Sequence, residues 1–120
     1  MSSETAQSLF EFAMDLLNAA GICVVAHLAS SAALRATIPA KDSAFDHVFG
    51  SPMWGDVLAR HAWLVRTRFF WPWVSSPSEL ASRGLATRAL FWVARLAGAG
   101  AAACFVGFLA TMVYIGIRSA

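Results

Sequence analysis

Residues 96–117, LAGAGAAACFVGFLATMVYIGI, run without a single charge between Arg95 and Arg118. A helix rising ~1.5 Å per residue would stretch this segment over roughly 33 Å, enough to cross a hydrocarbon core of about 30 Å. Lipid offers no partners for open backbone groups, so a single apolar run of this kind is expected to be helical. The composition agrees: 58% of the chain is hydrophobic and 13% charged, whereas soluble domains carry about 25% charged residues. A chain of 120 residues so poor in charge does not read as an ordinary water-soluble globule.

A second uncharged run covers residues 16–34, LLNAAGICVVAHLASSAAL, and ends at Arg35. Asn18, His27, Ser30 and Ser31 make it less apolar than the later run. Its length still favours a membrane span over a buried core helix. The lead before it carries Glu4, Glu11 and Asp15 but no Lys or Arg, unlike the cationic start of a secretory signal. Ser3 is the expected N-cap, with Glu4 in the first turn where the helix dipole favours an acid.

Three regions follow. Residues 1–35 form the acidic lead and first span, 36–76 a helical middle, and 77–120 a long helix ending in the second span. In the middle, Pro39 and Lys41–Asp42–Ser43 mark a turn, and Ser51–Pro52 is a helix start. The helix expected from Met53 ends in RTRFFWPW at residues 66–73, where arginines stand beside aromatic rings. Trp54, Arg66, Arg68, Trp71 and Trp73 are candidate interfacial anchors, because such side chains settle in the headgroup zone. This segment is read as lying on the membrane surface, the alternative being a soluble helix packed on its neighbours. Ser76–Pro77–Ser78–Glu79 has the pattern of a capping box. With no proline beyond it, one helix of about 40 residues (~60 Å) is expected to reach residue 117, with Gly84, Gly98 and Gly100 as points where it could bend.

Eight of the nine Lys and Arg residues lie between the two runs. By the positive-inside rule the middle is cytoplasmic and both termini lie across the membrane. The expected fold is therefore an all-α membrane protein, with two antiparallel transmembrane helices joined by an interfacial or cytoplasmic helical middle, in the inner membrane of a bacterium.

Counting inward from Arg35 and Arg95 matches Asn18 with Thr111 and Asp15 with Tyr114. Gly100, Ala103, Gly107, Thr111 and Tyr114 recur at three- and four-residue spacing and form a small, polar stripe that suits close helix contact. Phe105, Phe108, Met112 and Ile115 form the opposite, lipid-facing stripe. Asp15 and Asn18 are thus expected to meet Thr111 and Tyr114. His27, with Ala20, Cys23, Ser30 and Ser31, falls on the other side of the first helix. That leaves a polar stripe to be met by a second copy or a larger membrane complex.

Chemistry is sparse. Cys23 and Cys104 sit in apolar runs without metal or redox spacing, and no nucleophile–base pair, phosphate loop or metal cluster is legible, so catalysis is not expected. A net charge of +2 with scattered cations does not describe a nucleic-acid surface. No cofactor is expected. His27 could bind one only if haem is present, and a second axial histidine would then have to come from a symmetric dimer.

Glu79, Leu80, Arg83, Arg88 and Phe91 hold the pattern glutamate–apolar–x–x–Arg–x4–Arg–x–x–Phe leading into a C-terminal span. Ser30–Ser31 and Leu34–Arg35–Ala36 at the inner end of the first span form another. Together with the basic, aromatic middle, these positions resemble the universal stress protein B group of small bacterial membrane proteins. The resemblance implies an integral membrane protein linked to stress or stationary phase, and it brings no catalytic residues. Two function classes follow: a non-enzymatic membrane protein acting through helix association, or an accessory or anchor subunit of a respiratory-type complex.

Overall fold

The computed structural model describes residues 1–38 and 78–120. Among these the chain is all α: helix α1 (Ser3–Thr37), a short 3-10 helix (Ser78–Ser82) and helix α2 (Leu85–Ser119). The two long helices pack together as an antiparallel hairpin. Each has 35 residues, or ~52 Å at 1.5 Å per residue. The interfacial anchors Trp54, Arg66, Arg68, Trp71 and Trp73 lie outside the described residues.

Local chemistry sets the helix ends. The N-cap of α1 is Ser2, one residue earlier than the sequence pattern indicates. Its hydroxyl oxygen accepts from the Thr5 amide at 3.2 Å, satisfying one of the open donors of the first turn. Glu4 follows in that turn, and Arg35 occupies the last turn, each beside the dipole end that favours its charge. Ile38 closes the helix by donating to the Leu34 carbonyl at 2.9 Å. Pro39 comes next in the sequence and disfavours helical geometry at Ile38.

The expected helix of about 40 residues is interrupted. Arg83 N donates to Leu80 O at 3.1 Å to close the 3-10 turn, and Gly84 is extended and serves as the N-cap of α2. Glycine inside a helix costs about 1 kcal/mol relative to alanine, so a break at Gly84 loses little.

Along the seam of α1, the buried or half-buried positions Ala6, Leu9, Ala13, Leu16, Ala20, Cys23, His27, Ser30 and Leu34 form one series. They alternate three and four residues apart, the period of a coiled-coil seam. On α2 the corresponding series is Phe91, Ala94, Gly98, Ala101, Cys104, Phe108, Thr111 and Ile115. The outer surface is apolar. In the most apolar 18-residue window of each helix, only 11% (α1) and 6% (α2) of the residues are buried. Ile22 and Ile117 are 71% and 70% exposed. Both helices are long and apolar enough to cross a membrane.

Candidate functional site

Three contacts fix how the helices meet. His27 Nδ1 lies 2.6 Å from the Ala94 carbonyl oxygen. A carbonyl only accepts, so this nitrogen carries the proton and donates. A Cβ built on Gly100 would stand 3.3 Å from Cys23 Sγ, and one on Gly107 would stand 3.2 Å from Leu16 Cδ1. The glycines therefore let α1 side chains rest directly on the α2 backbone, the usual means of close helix approach where lipid provides no drive for association.

This geometry corrects the expected pairing in face and in register. The stripe holding Ala20, Cys23, His27, Ser30 and Ser31 is the helix–helix seam, and Asp15 and Asn18 are exposed on the outside. With Leu16 against Gly107, the level of Asn18 falls near Phe105. That is about six residues, or ~9 Å along the axis, from Thr111. Of the expected contact residues on α2, Gly100, Gly107 and Thr111 are half-buried, whereas Ala103 and Tyr114 are exposed. Thr111 Oγ1 donates to Gly107 O in its own helix at 2.8 Å. Tyr114 instead lies under the Arg118 guanidinium, 5.6 Å from its ring centre. Phe108, Met112 and Ile115, expected to face lipid, are half-buried, while Phe105 is exposed as expected.

Arg95 and Arg35 do not mark one membrane boundary. Arg95 is instead fully buried, at the level of His27. Its guanidinium carbon stands 5.2 Å from the Phe91 ring centre and 4.9 Å from that of Trp92, the latter two rings meeting edge to face at 6.1 Å. Cation–π contacts of desolvated groups contribute about 2 kcal/mol. The spacing Phe91–Trp92–Arg95 puts both rings within one helical turn of the arginine, and that spacing is the sequence signal for a buried Arg95.

Around this point the chain concentrates its buried polar groups: His27, Ser30, Ser31 and Arg95. Ser30 Oγ donates back to Ala26 O at 2.6 Å, with His27 O at 3.2 Å. Ser31 Oγ is buried without a hydrogen-bond partner. Since this polar stripe lies inside the hairpin, it no longer calls for a second copy or a further subunit to cover it. Its histidine is only 4% exposed, and Nδ1 is already engaged. No group of three or more metal-ligating side chains occurs among the described residues. Arranged this way, the cluster is suited to locking two helices in register. Comparison with known protein families, with characterised proteins and with solved structures finds no match.

Proposed function

We propose that this chain is a small, non-enzymatic integral membrane protein of a bacterial inner membrane, acting through helix association. One observation carries the reading: a continuous outward belt without charge. On α1 it covers residues 16–34, from beyond Asp15 to Arg35. The register places residues 89–107 of α2 at the same levels, and the one charge there, Arg95, is buried. Nineteen levels correspond to about 28 Å, the thickness of a hydrocarbon core. Ile22, Val24, Val25, Leu28, Val93, Leu96, Phe105 and Val106 are all exposed on this belt. Moving them from water to lipid contributes on the order of 10 kcal/mol.

Arg35, Arg83 and Arg88 gather at the hairpin end of the belt, while Glu4, Glu11, Asp15 and Arg118 lie at the other. The positive-inside rule then supports a cytoplasmic middle region and both termini on the far side. The link to stress rests on the resemblance to the universal stress protein B group. The test is retention of the full chain in the membrane pellet through alkaline carbonate, with a reporter fused after residue 60 active only in the cytoplasm. Extraction by carbonate would overturn the membrane reading.

The alternative, an accessory subunit of a respiratory-type complex, draws on His27. A carbonyl holding Nδ1 is the arrangement that orients histidine ligands, directing any ligation to Nε2. A Soret band in the purified protein that disappears in His27→Ala would favour it.

A further inference from the structure

The hairpin end of the charge-free belt carries two arginines at one level. With Leu16 against Gly107, Arg35 lies nineteen residues after the first and Arg88 nineteen before the second. The register therefore sets them side by side where the belt stops. At about 100° per residue, Arg35 is turned roughly 100° from the seam line of Cys23, His27, Ser30 and Leu34, and Arg88 by about the same angle from that of Phe91, Ala94, Gly98 and Ala101. Both turns run clockwise seen from the N-terminus of their own helix. In an antiparallel pair, equal turns of one sense lead to the same side of the hairpin. The same faces continue into the belt. Leu28 and Val24 precede Arg35 by two and three helical turns, within about 20° of it, and Trp92 follows Arg88 by one turn, within about 40°. Leu28, Val24 and Trp92 are exposed, as is Arg88, and Arg35 is half-buried. Neither long helix carries an acid at this level: α2 has none, and Glu4, Glu11 and Asp15 of α1 lie toward its other end.

We propose that Arg35 and Arg88 together bind the phosphate of an anionic phospholipid in the cytoplasmic leaflet, with Trp92 at the level of its ester groups and Leu28 and Val24 along an acyl chain. Guanidinium groups engage phosphate through paired, charge-assisted hydrogen bonds. Helix axes in contact stand about 8–10 Å apart, so arginines reaching in from the two helices meet one phosphate between them. Tryptophan settles at the membrane boundary, and Trp92 stands ~6 Å deeper than Arg88 along the axis, just inside the phosphate. Charge selects among lipids. Two cations with no acid on either helix at their level favour a headgroup of net negative charge, as basic pockets between cytoplasmic helix ends do. A zwitterionic headgroup brings its own ammonium against them, and like charges at close range repel. Arg95, on the same face of α2 two turns deeper, is buried against Phe91 and Trp92, which leaves the headgroup to Arg88 and Arg35. The inference rests on the membrane reading above and adds a lipid site to it.

The experiment uses the full chain in mild detergent, titrated with dioleoylphosphatidylglycerol, with dioleoylphosphatidylcholine and with inorganic phosphate, the bound adducts being read by native mass spectrometry. Each arginine near an anionic headgroup contributes about a fivefold gain, so phosphatidylglycerol should bind roughly 25-fold more tightly than phosphatidylcholine. Arg88→Gln or Arg35→Gln should each lower that preference about fivefold. Arg88→Lys should keep most of it, and Arg118→Gln, at the far end of α2, should leave it unchanged. If energy transfer between α1 and α2 shows that Arg35→Gln opens the hairpin, the exposed Arg88 carries the test alone. Equal binding of the two lipids, an equal loss in Arg118→Gln, or displacement of the lipid by inorganic phosphate overturns this inference, the last by making the ligand a free phosphate. In a chain that resists carbonate, each of these leaves the membrane reading standing. A chain that carbonate extracts overturns both.

Discussion

Replacing His27 by leucine is the sharpest probe of the hairpin. The side chain is buried in the seam and donates to a backbone carbonyl 67 residues away at 2.6 Å. Leucine keeps a buried side chain of comparable bulk and removes the imidazole's polar contacts, the Nδ1 donor among them. The Ala94 carbonyl is not orphaned, because it still accepts within α2. The loss includes the net worth of this interhelical hydrogen bond, ~0.6 kcal/mol on average and up to about 1.7 in membranes. That corresponds to a 3- to 18-fold shift in the opening equilibrium, roughly, by the same figures. The assay is energy transfer between dyes on the far ends of α1 and α2, followed through an SDS titration in mixed micelles. His27→Ala should cost a further ~2 kcal/mol, because it adds a cavity. If His27→Leu resists SDS as well as the parent does, the bond contributes nothing and the polar cluster is not what holds the register.

Three other substitutions test neighbouring parts of the argument. Ser31→Ala should raise hairpin stability by about 1 kcal/mol in the same titration, since it removes a buried hydroxyl without a partner and adds helix propensity. Gly107→Leu should separate the helices and abolish energy transfer, whereas Gly107→Ala, which needs the tip of Leu16 to give by only a few tenths of an ångström, should stay within about 1 kcal/mol of the parent. Ser2→Ala should fray the first turn of α1 at a cost of ~1 kcal/mol. Hydrogen exchange would show this as faster exchange at the amides of Thr5 and Ala6, with α2 unchanged.

Much of the architecture is written in local sequence. Two uncharged runs of bilayer length, the acid at one helix start, the arginine in each last turn, and the arginines gathered between the runs all follow from composition along the chain. So does the all-α fold, because a run of that length and apolarity has few alternatives in lipid. The site was less legible. Gly100 and Gly107 are legible as contact residues because smallness is itself the signal. The polar partner is not, because α1 has two polar stripes on opposite sides, Asp15 with Asn18 and His27 with Ser30. Either could serve as a seam by composition alone.

What separated those stripes was the opposite helix. Arg95 looks like a boundary marker when charge is counted along the chain, and the expected register was levelled on it. Packed against Phe91 and Trp92 and buried at the level of His27, it marks the interior of the hairpin instead. Helix formation and apolarity are properties of neighbours in sequence and can be read from them. Face and register depend on which side chain finds which backbone across dozens of intervening residues, and only the folded pair settles that.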